Sequence, residues 1–140
     1  MNTMNLLPTE RDAVGKIRAL LDSFTEGWEK LDSDQVLSTI ARRDDIVVFG
    51  TDVVEHWVGF DALVEPFKAM VKEMGRPHYA WRPDEPRIWV LGETGCASGI
   101  LTLTFDDKGE PRRIFMRSTF VAIKLDQSWL IAHAHFSVGE

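Results

Sequence analysis

The sequence predicts one α+β domain, with helices first and an antiparallel meander after them. Three observations carry that prediction. Apolar residues recur at spacings of three and four in the first half of the chain, as far as Met74. From Tyr79 onward the pattern becomes extended segments separated by short polar turns. Repeated strand–helix–strand units are absent, which argues against a parallel sheet.

The elements follow in order. Residues 1–8 are expected to form a flexible arm, leaving 9–140 as the single domain; 140 residues bury roughly two-thirds of their unfolded surface without a disulfide or metal staple. The first helix opens after Pro8, with Thr9 as N-cap and Asp12 three positions on. Val14, Ile17, Leu21, Phe24 and Trp28 lie on one stripe, which Leu20 widens. Asp32 or Ser33 caps a short second helix that turns Val36, Leu37 and Ile40 inward. A buried strand over 46–49, a turn over 50–52 and an extended piece over 53–58 read as a small hairpin. The spacing of Leu63, Phe67, Met70, Val71 and Met74 predicts a third helix over 61–74, with Gly75 as C-cap and Pro77 as stop. The remainder is strand: 79–91, bent at Pro83 and Pro86, then 96–105, 112–125 and 128–138. A turn over 106–109 and a tight turn at Asp126 and Gln127 join the last three.

Composition narrows the function. A net charge of -6, with basic residues scattered and never running longer than the pairs Arg42-Arg43 and Arg112-Arg113, argues against nucleic acid or an anionic membrane as partner. The single cysteine, Cys96, excludes an internal disulfide and any multi-cysteine zinc site; with no local basic neighbour it reads as an inert core thiol. No apolar signal core or membrane-length segment is present, and a cytoplasmic location is expected.

The final strand is the most informative stretch. Strict alternation places Trp129, Ile131, His133, His135 and Ser137 on one face and Leu130, Ala132, Ala134, Phe136 and Val138 on the other. A line of His, His and Ser opposite an apolar face is expected to line a ligand cavity. Either histidine suits proton transfer near neutral pH. The competing reading makes them buried polar residues bonded to their neighbours. As metal ligands they are half a site, needing a third donor from Asp52, Glu55, His56 or His78; no metal is expected. Arg117, mid-strand among apolar residues, reads as a buried guanidinium needing an anion. A tight turn at Asp126 brings it near Phe136 and Ser137. Trp28 and Trp57 suit an aromatic pocket wall, although simple core packing accounts for each tryptophan singly. Asp52 lies at the predicted rim. Both faces of 114–123 are largely apolar, while the helices cover only one side, so the other is expected to meet a second subunit.

Several runs carry a resemblance: FTEGW at 24–28 followed by Asp32 and Asp34, DIVVFG at 45–50, WVG at 57–59, RSTF at 117–120 and WLIAHAHFS at 129–137. Over nearly its whole length the chain resembles the SnoaL-like group of the nuclear-transport-factor-2-like superfamily. That resemblance implies a cone, in which N-terminal helices are packed in a strongly curved antiparallel sheet with a pocket at the wide end and dimers commonly formed through the sheet. The superfamily holds isomerases, dehydratases, cyclases and epoxide hydrolases, and also oligomerisation domains and carriers. The Tyr-plus-paired-Asp arrangement of ketosteroid isomerases is not matched, since the sole tyrosine, Tyr79, follows the third helix. Nor is the Asp-Arg-Asp set of limonene epoxide hydrolases.

The expectation is therefore a homodimeric small-molecule-binding domain. It takes a partly apolar, polar-headed organic molecule and is suited to acid/base isomerisation, dehydration or cyclisation. His135 would move the proton, Arg117 stabilise an anion, and His133, Ser137, Trp28, Trp57 and Asp52 contact the ligand. No cofactor is expected. The alternative is a non-catalytic oligomerisation or carrier module.

Overall fold

A computed structural model describes residues 6–139. The first five residues of the expected arm lie outside the described residues. Leu6 packs against the core and Pro8 already belongs to the first helix, α1 (Pro8–Glu29). The N-cap of α1 is Leu7, in extended conformation, and no side chain caps it. Thr9 is thus not the cap. Pro8 occupies the first turn, where its missing N–H leaves no bond unmade. The inward stripe is as expected: Val14, Ile17, Leu20, Leu21, Phe24 and Trp28 are all buried. Helix α2 (Ser33–Ser38) is capped by Asp32, whose carboxylate accepts from the Gln35 N–H at 3.1 Å. It crosses α1 at Gly27, where an added Cβ would lie 2.9 Å from the Val36 nitrogen; only glycine admits that approach.

Strands β1 (Val47–Phe49) and β2 (His56–Val58) form the expected small hairpin. Helix α3 (Asp61–Glu73) buries Leu63, Phe67 and Val71. Its end differs from expectation. Met74 is already extended, and Gly75 opens β3 (Gly75–Trp81) rather than capping the helix. The left-handed residue is Arg76, at φ 47°. The bent segment resolves into β3 and β4 (Arg87–Leu91), which pair with two successive stretches of β5 (Thr94–Asp107). Strands β6 (Glu110–Leu125) and β7 (Ser128–Val138) complete the meander, joined by Asp126 and Gln127 at φ 47° and 71°.

The sheet order is β2-β1-β7-β6-β5-β3, with β4 also on β5, so the sheet is curved but unclosed. One pairing departs from an all-antiparallel sheet: β1 runs parallel to β7, Phe49 beside His135. Helix α1 packs on the concave face, against β3, β4 and β7. Phe120, fully buried, sits mid-sheet beneath it. No described helix is long and apolar enough to cross a membrane.

One irregularity decides which side chains reach the interior. Val121 pairs with His133 but Ala122 pairs with Ile131, which leaves Ala132 as an extra residue in β7. Such a bulge shifts the alternation by one. Trp129 and Ile131 are buried before it, and Ala134 after it, all on the concave side. Leu130 before the bulge and His133, His135 and Ser137 after it belong to the outer face. The bulge has a cause across the strand. Ile131 is bonded on both sides by the 39–41 segment, its N–H to the Thr39 carbonyl and its carbonyl to the Ala41 N–H, each at 2.8 Å; two residues later β7 changes partner to β1.

Candidate functional site

Between α1, α3 and the concave face lies a cavity of about 120 Å³ with an open mouth. Phe24 and Trp28 enter it because they end the inward stripe of α1. Phe67, Met70 and Met74 come from α3 and the residue after it. The sheet supplies Val48, Leu103, Ile114, Met116 and Phe136. Trp57, at the centre of β2, closes one side. Its ring meets Phe67 edge-on at 5.6 Å, and Phe67 lies 5.1 Å from Trp28, so the three rings form one continuous wall. Phe24 stacks on Phe136 at 6.2 Å with planes 7° apart.

Polar groups in the lining are few: the Gly50–Thr51 backbone turn, Glu55 and Tyr79. Glu55 is held by its own loop. Its Oε1 accepts the Asp52 N–H at 2.9 Å, and its backbone carbonyl accepts the Gly50 N–H at 2.8 Å. An added Cβ on Gly50 would stand 2.7 Å from Glu55 Oε1, so glycine is what lets the carboxylate fold over the turn. Tyr79 is fixed by its backbone, whose N–H donates to Glu29 Oε2 at 2.8 Å; the same carboxylate oxygen pairs with His78 Nδ1 at 2.9 Å. The Tyr79 hydroxyl and the Trp28 indole N–H bond to no described residue, and no side-chain N or O among those residues is enclosed without a partner. Both residues line the cavity. Burial, reinforced by the Glu29 carboxylate, pushes the Tyr79 phenol well above its ordinary range, so it stays a neutral donor. Because Tyr79 is the only tyrosine, near-ultraviolet phenolate absorbance reads it directly. The folded protein is expected to show no ionisation at the usual value of about 10, and a normal midpoint would mean that the ring is solvated. The sign for stability follows: an unfolded chain ionises above about 10 and the folded one does not, so folding weakens as pH rises past that value, and less so in Tyr79→Phe.

The site residues expected from sequence divide into two groups. Trp28 and Trp57 line the cavity. Asp52 is exposed in the adjoining loop, where its Oδ1 accepts the Val54 N–H at 3.0 Å; it is a loop-forming residue and does not reach the lining. His133, His135, Ser137 and Arg117 stand together on the outer face, away from the cavity. Their expected closeness is met, since Arg117 pairs with Ser137 and Thr119 with His135. Their expected placement is not. Arg117 and His135 are exposed, because Arg117 shares the phase of Phe115 and Thr119 and the Ala132 bulge turns the histidines outward. The expectation of a buried guanidinium beside a catalytic histidine is corrected accordingly. His133 donates from Nδ1 to the Val47 carbonyl at 2.7 Å, and Phe49 gathers His56, His133 and His135 around its ring at 4.9, 6.1 and 5.3 Å. Among the described residues no group of three or more His, Cys, Asp or Glu is arranged to hold a metal ion. Cys96 lies half-buried on the same outer face rather than in the core, and burial raises its thiol.

Sequence reasoning passed over Tyr79 as a site residue and weighed Glu55 only as one of several loop acids. Glu55 and Trp57, two apart in an extended run, were the available signal, since such a pair points the same way. Met70, Met74, Ile114 and Met116 gave none, because an apolar cavity wall and an apolar core have the same pattern.

A family model described as a SnoaL-like domain matches residues 17–139. No curated protein matches the chain by sequence. Solved structures share its fold. A nuclear transport factor 2 (NTF2-like) superfamily protein from Salmonella enterica is 18% identical over 90% of each chain, with a TM-score of 0.78. A candidate dehydratase of the NTF2-like family from Streptomyces avermitilis is 12% identical over 93% of this chain and 98% of that one, with a TM-score of 0.82. A candidate calcium/calmodulin-dependent protein kinase II association domain from Xanthomonas campestris is 23% identical over 88% and 85%, with a TM-score of 0.75.

Proposed function

The chain belongs to the SnoaL-like domain family, and from that premise and its cavity we propose that it binds one small, largely apolar organic molecule between α1, α3 and the concave sheet. The observation that carries this reading is the cavity itself. Its aromatic and methionine walls are interrupted by a few positioned polar groups, the lining pattern usual for ligand sites. The fold cannot choose the function, since a candidate dehydratase and a candidate association domain both share it. The cavity favours binding over a purely structural module, because a structural core closes such a space with side chains. For proton transfer it offers Glu55 as acceptor and Tyr79 as neutral donor; the reading uses neither His135 nor Arg117.

The test is a neutral fluorescent probe, N-phenyl-1-naphthylamine. It is expected to bind at one saturable site with a rise in emission. Met74→Trp, which extends a half-buried side chain of the lining into the cavity, is expected to abolish that rise while the protein stays folded by circular dichroism. Unchanged binding in this variant would place the probe elsewhere and sink the reading.

We also propose that two copies pair through the outer sheet face. Four exposed apolar side chains, Val58, Trp89, Leu91 and Phe115, project from it, and in this chain no helix covers them.

A further inference from the structure

The lining of the cavity carries one carboxylate side chain, Glu55, and no Lys, Arg or His. This asymmetry says more about the ligand than the volume does. A carboxylate or phosphate in the cavity would meet an apolar wall, a like charge and no cation, a combination that costs affinity. An ammonium would meet the opposite. Glu55 lies opposite Gly50, and Trp57 opposite Val48, on one side of the β1–β2 hairpin, and both reach the lining that the Phe67 and Trp28 rings continue. A carboxylate beside several aromatic rings is the arrangement by which proteins hold organic ammonium groups: the rings attract the cation through their quadrupoles, and the carboxylate accepts its N–H bonds.

The carboxylate is also placed in advance. The Asp52 N–H bond to Glu55 Oε1 and the close approach of Gly50 fix it without help from a ligand. Only one of its oxygens is bonded to a described residue, so its other oxygen is free to accept. The lining sulfurs and aliphatic carbons of Met70, Met116 and Ile114 suit the cavity to an apolar body.

Resting on the small-molecule reading above, we propose that the ligand is an organic amine. Its ammonium sits beside Glu55 and Trp57, and its apolar or ring-bearing body lies between α1 and the sheet. This reverses the polarity that the sequence suggested, an anionic head on Arg117.

Three probes on one skeleton test it: 1-naphthylmethylamine, 1-naphthalenemethanol and 1-naphthoate, titrated by calorimetry near neutral pH and by displacement of the neutral dye. The amine is expected to bind about tenfold more tightly than the alcohol, and the naphthoate more weakly than either. Glu55→Gln keeps an acceptor for the Asp52 N–H. It is expected to lower amine affinity to about the level of the alcohol, with a much smaller loss for the alcohol. Trp57→Leu is expected to narrow the preference from the aromatic side. Equal binding of all three probes, or a naphthoate preference, overturns the amine proposal while leaving the small-molecule reading in place. Dye binding with no displacement by the amine does the same. An equal loss of amine and alcohol binding in Glu55→Gln would show that the residue only shapes the loop, and also overturns it. Failure of the dye itself to bind would remove the reading beneath.

Discussion

Phe120→Ala is expected to destabilise the domain by about 3–5 kcal/mol, the usual cost of emptying a fully buried phenylalanine site. Phe120 is fully buried and holds three elements at one point. Its ring meets Phe24 of α1 and Phe136 of β7 edge-on, each at 5.4 Å, and lies 6.3 Å from Trp81 of β3. Alanine removes these contacts together and leaves a void that three separate elements would have to close. Denaturant titration measures the loss as a lower midpoint at unchanged slope. A loss below about 1 kcal/mol would mean that α1 does not rest on the sheet at this point. Because Phe24 and Phe136 also line the cavity, the void opens toward it. The neutral dye is therefore expected to bind the variant at least as well as the parent, which separates a stability effect from a binding effect.

The same residues show what the sequence could convey. Phe24 and Trp28 fall on a stripe of period 3.6, and a helix buries such a stripe wherever it packs, so α1 was readable from spacing alone. Asp32 was readable as a cap because its carboxylate serves an N–H three residues away. The turn at Asp126 and Gln127 followed from local chemistry; alone it sets Arg117 opposite Phe136, and the bulge at Ala132 moves that pairing to Ser137. What failed depended on distant partners. Nothing local in WLIAHAHFS announces that β7 is bonded first by the 39–41 segment and then by β1, yet that change of partner accompanies the bulge at Ala132 and turns His133, His135 and Ser137 away from the interior. Gly75 carried the signature of a helix cap, but the chain enters β3 directly and places the left-handed residue at Arg76. The cavity joins residues from eight elements and the 50–55 loop, and its two polar members were the least conspicuous: a loop glutamate and a tyrosine in an edge strand.

The second large effect is expected from Val121→Lys, which should convert a dimer into a monomer. Register places Val121 in the middle of an outward row that runs Val58, Val47, His133, Val121, Cys96 and Trp89 across six strands. The charged groups on this face are mostly arginines, Arg87, Arg113 and Arg117, with the imidazoles of His56, His78, His133 and His135. Asp106, near the end of β5, is the carboxylate closest to them along the face. A lysine at the centre of the row would thus find no partner in its own chain. In a two-fold interface it would also approach the same surface of the other copy, so each substitution acts twice. The measurement is sedimentation across a dilution series at micromolar concentration, with thermal unfolding in parallel. The parent is expected to run as a dimer whose melting temperature falls on dilution, as mass action requires of an associating fold. The variant is expected to run as a monomer with a melting temperature independent of concentration. It should still bind the dye, because Val121 lies on the side of the sheet away from the cavity. A parent that sediments as a monomer at that concentration would end the dimer proposal. The exposed Trp89 and Phe115 would then have to be accounted for by a partner of another kind.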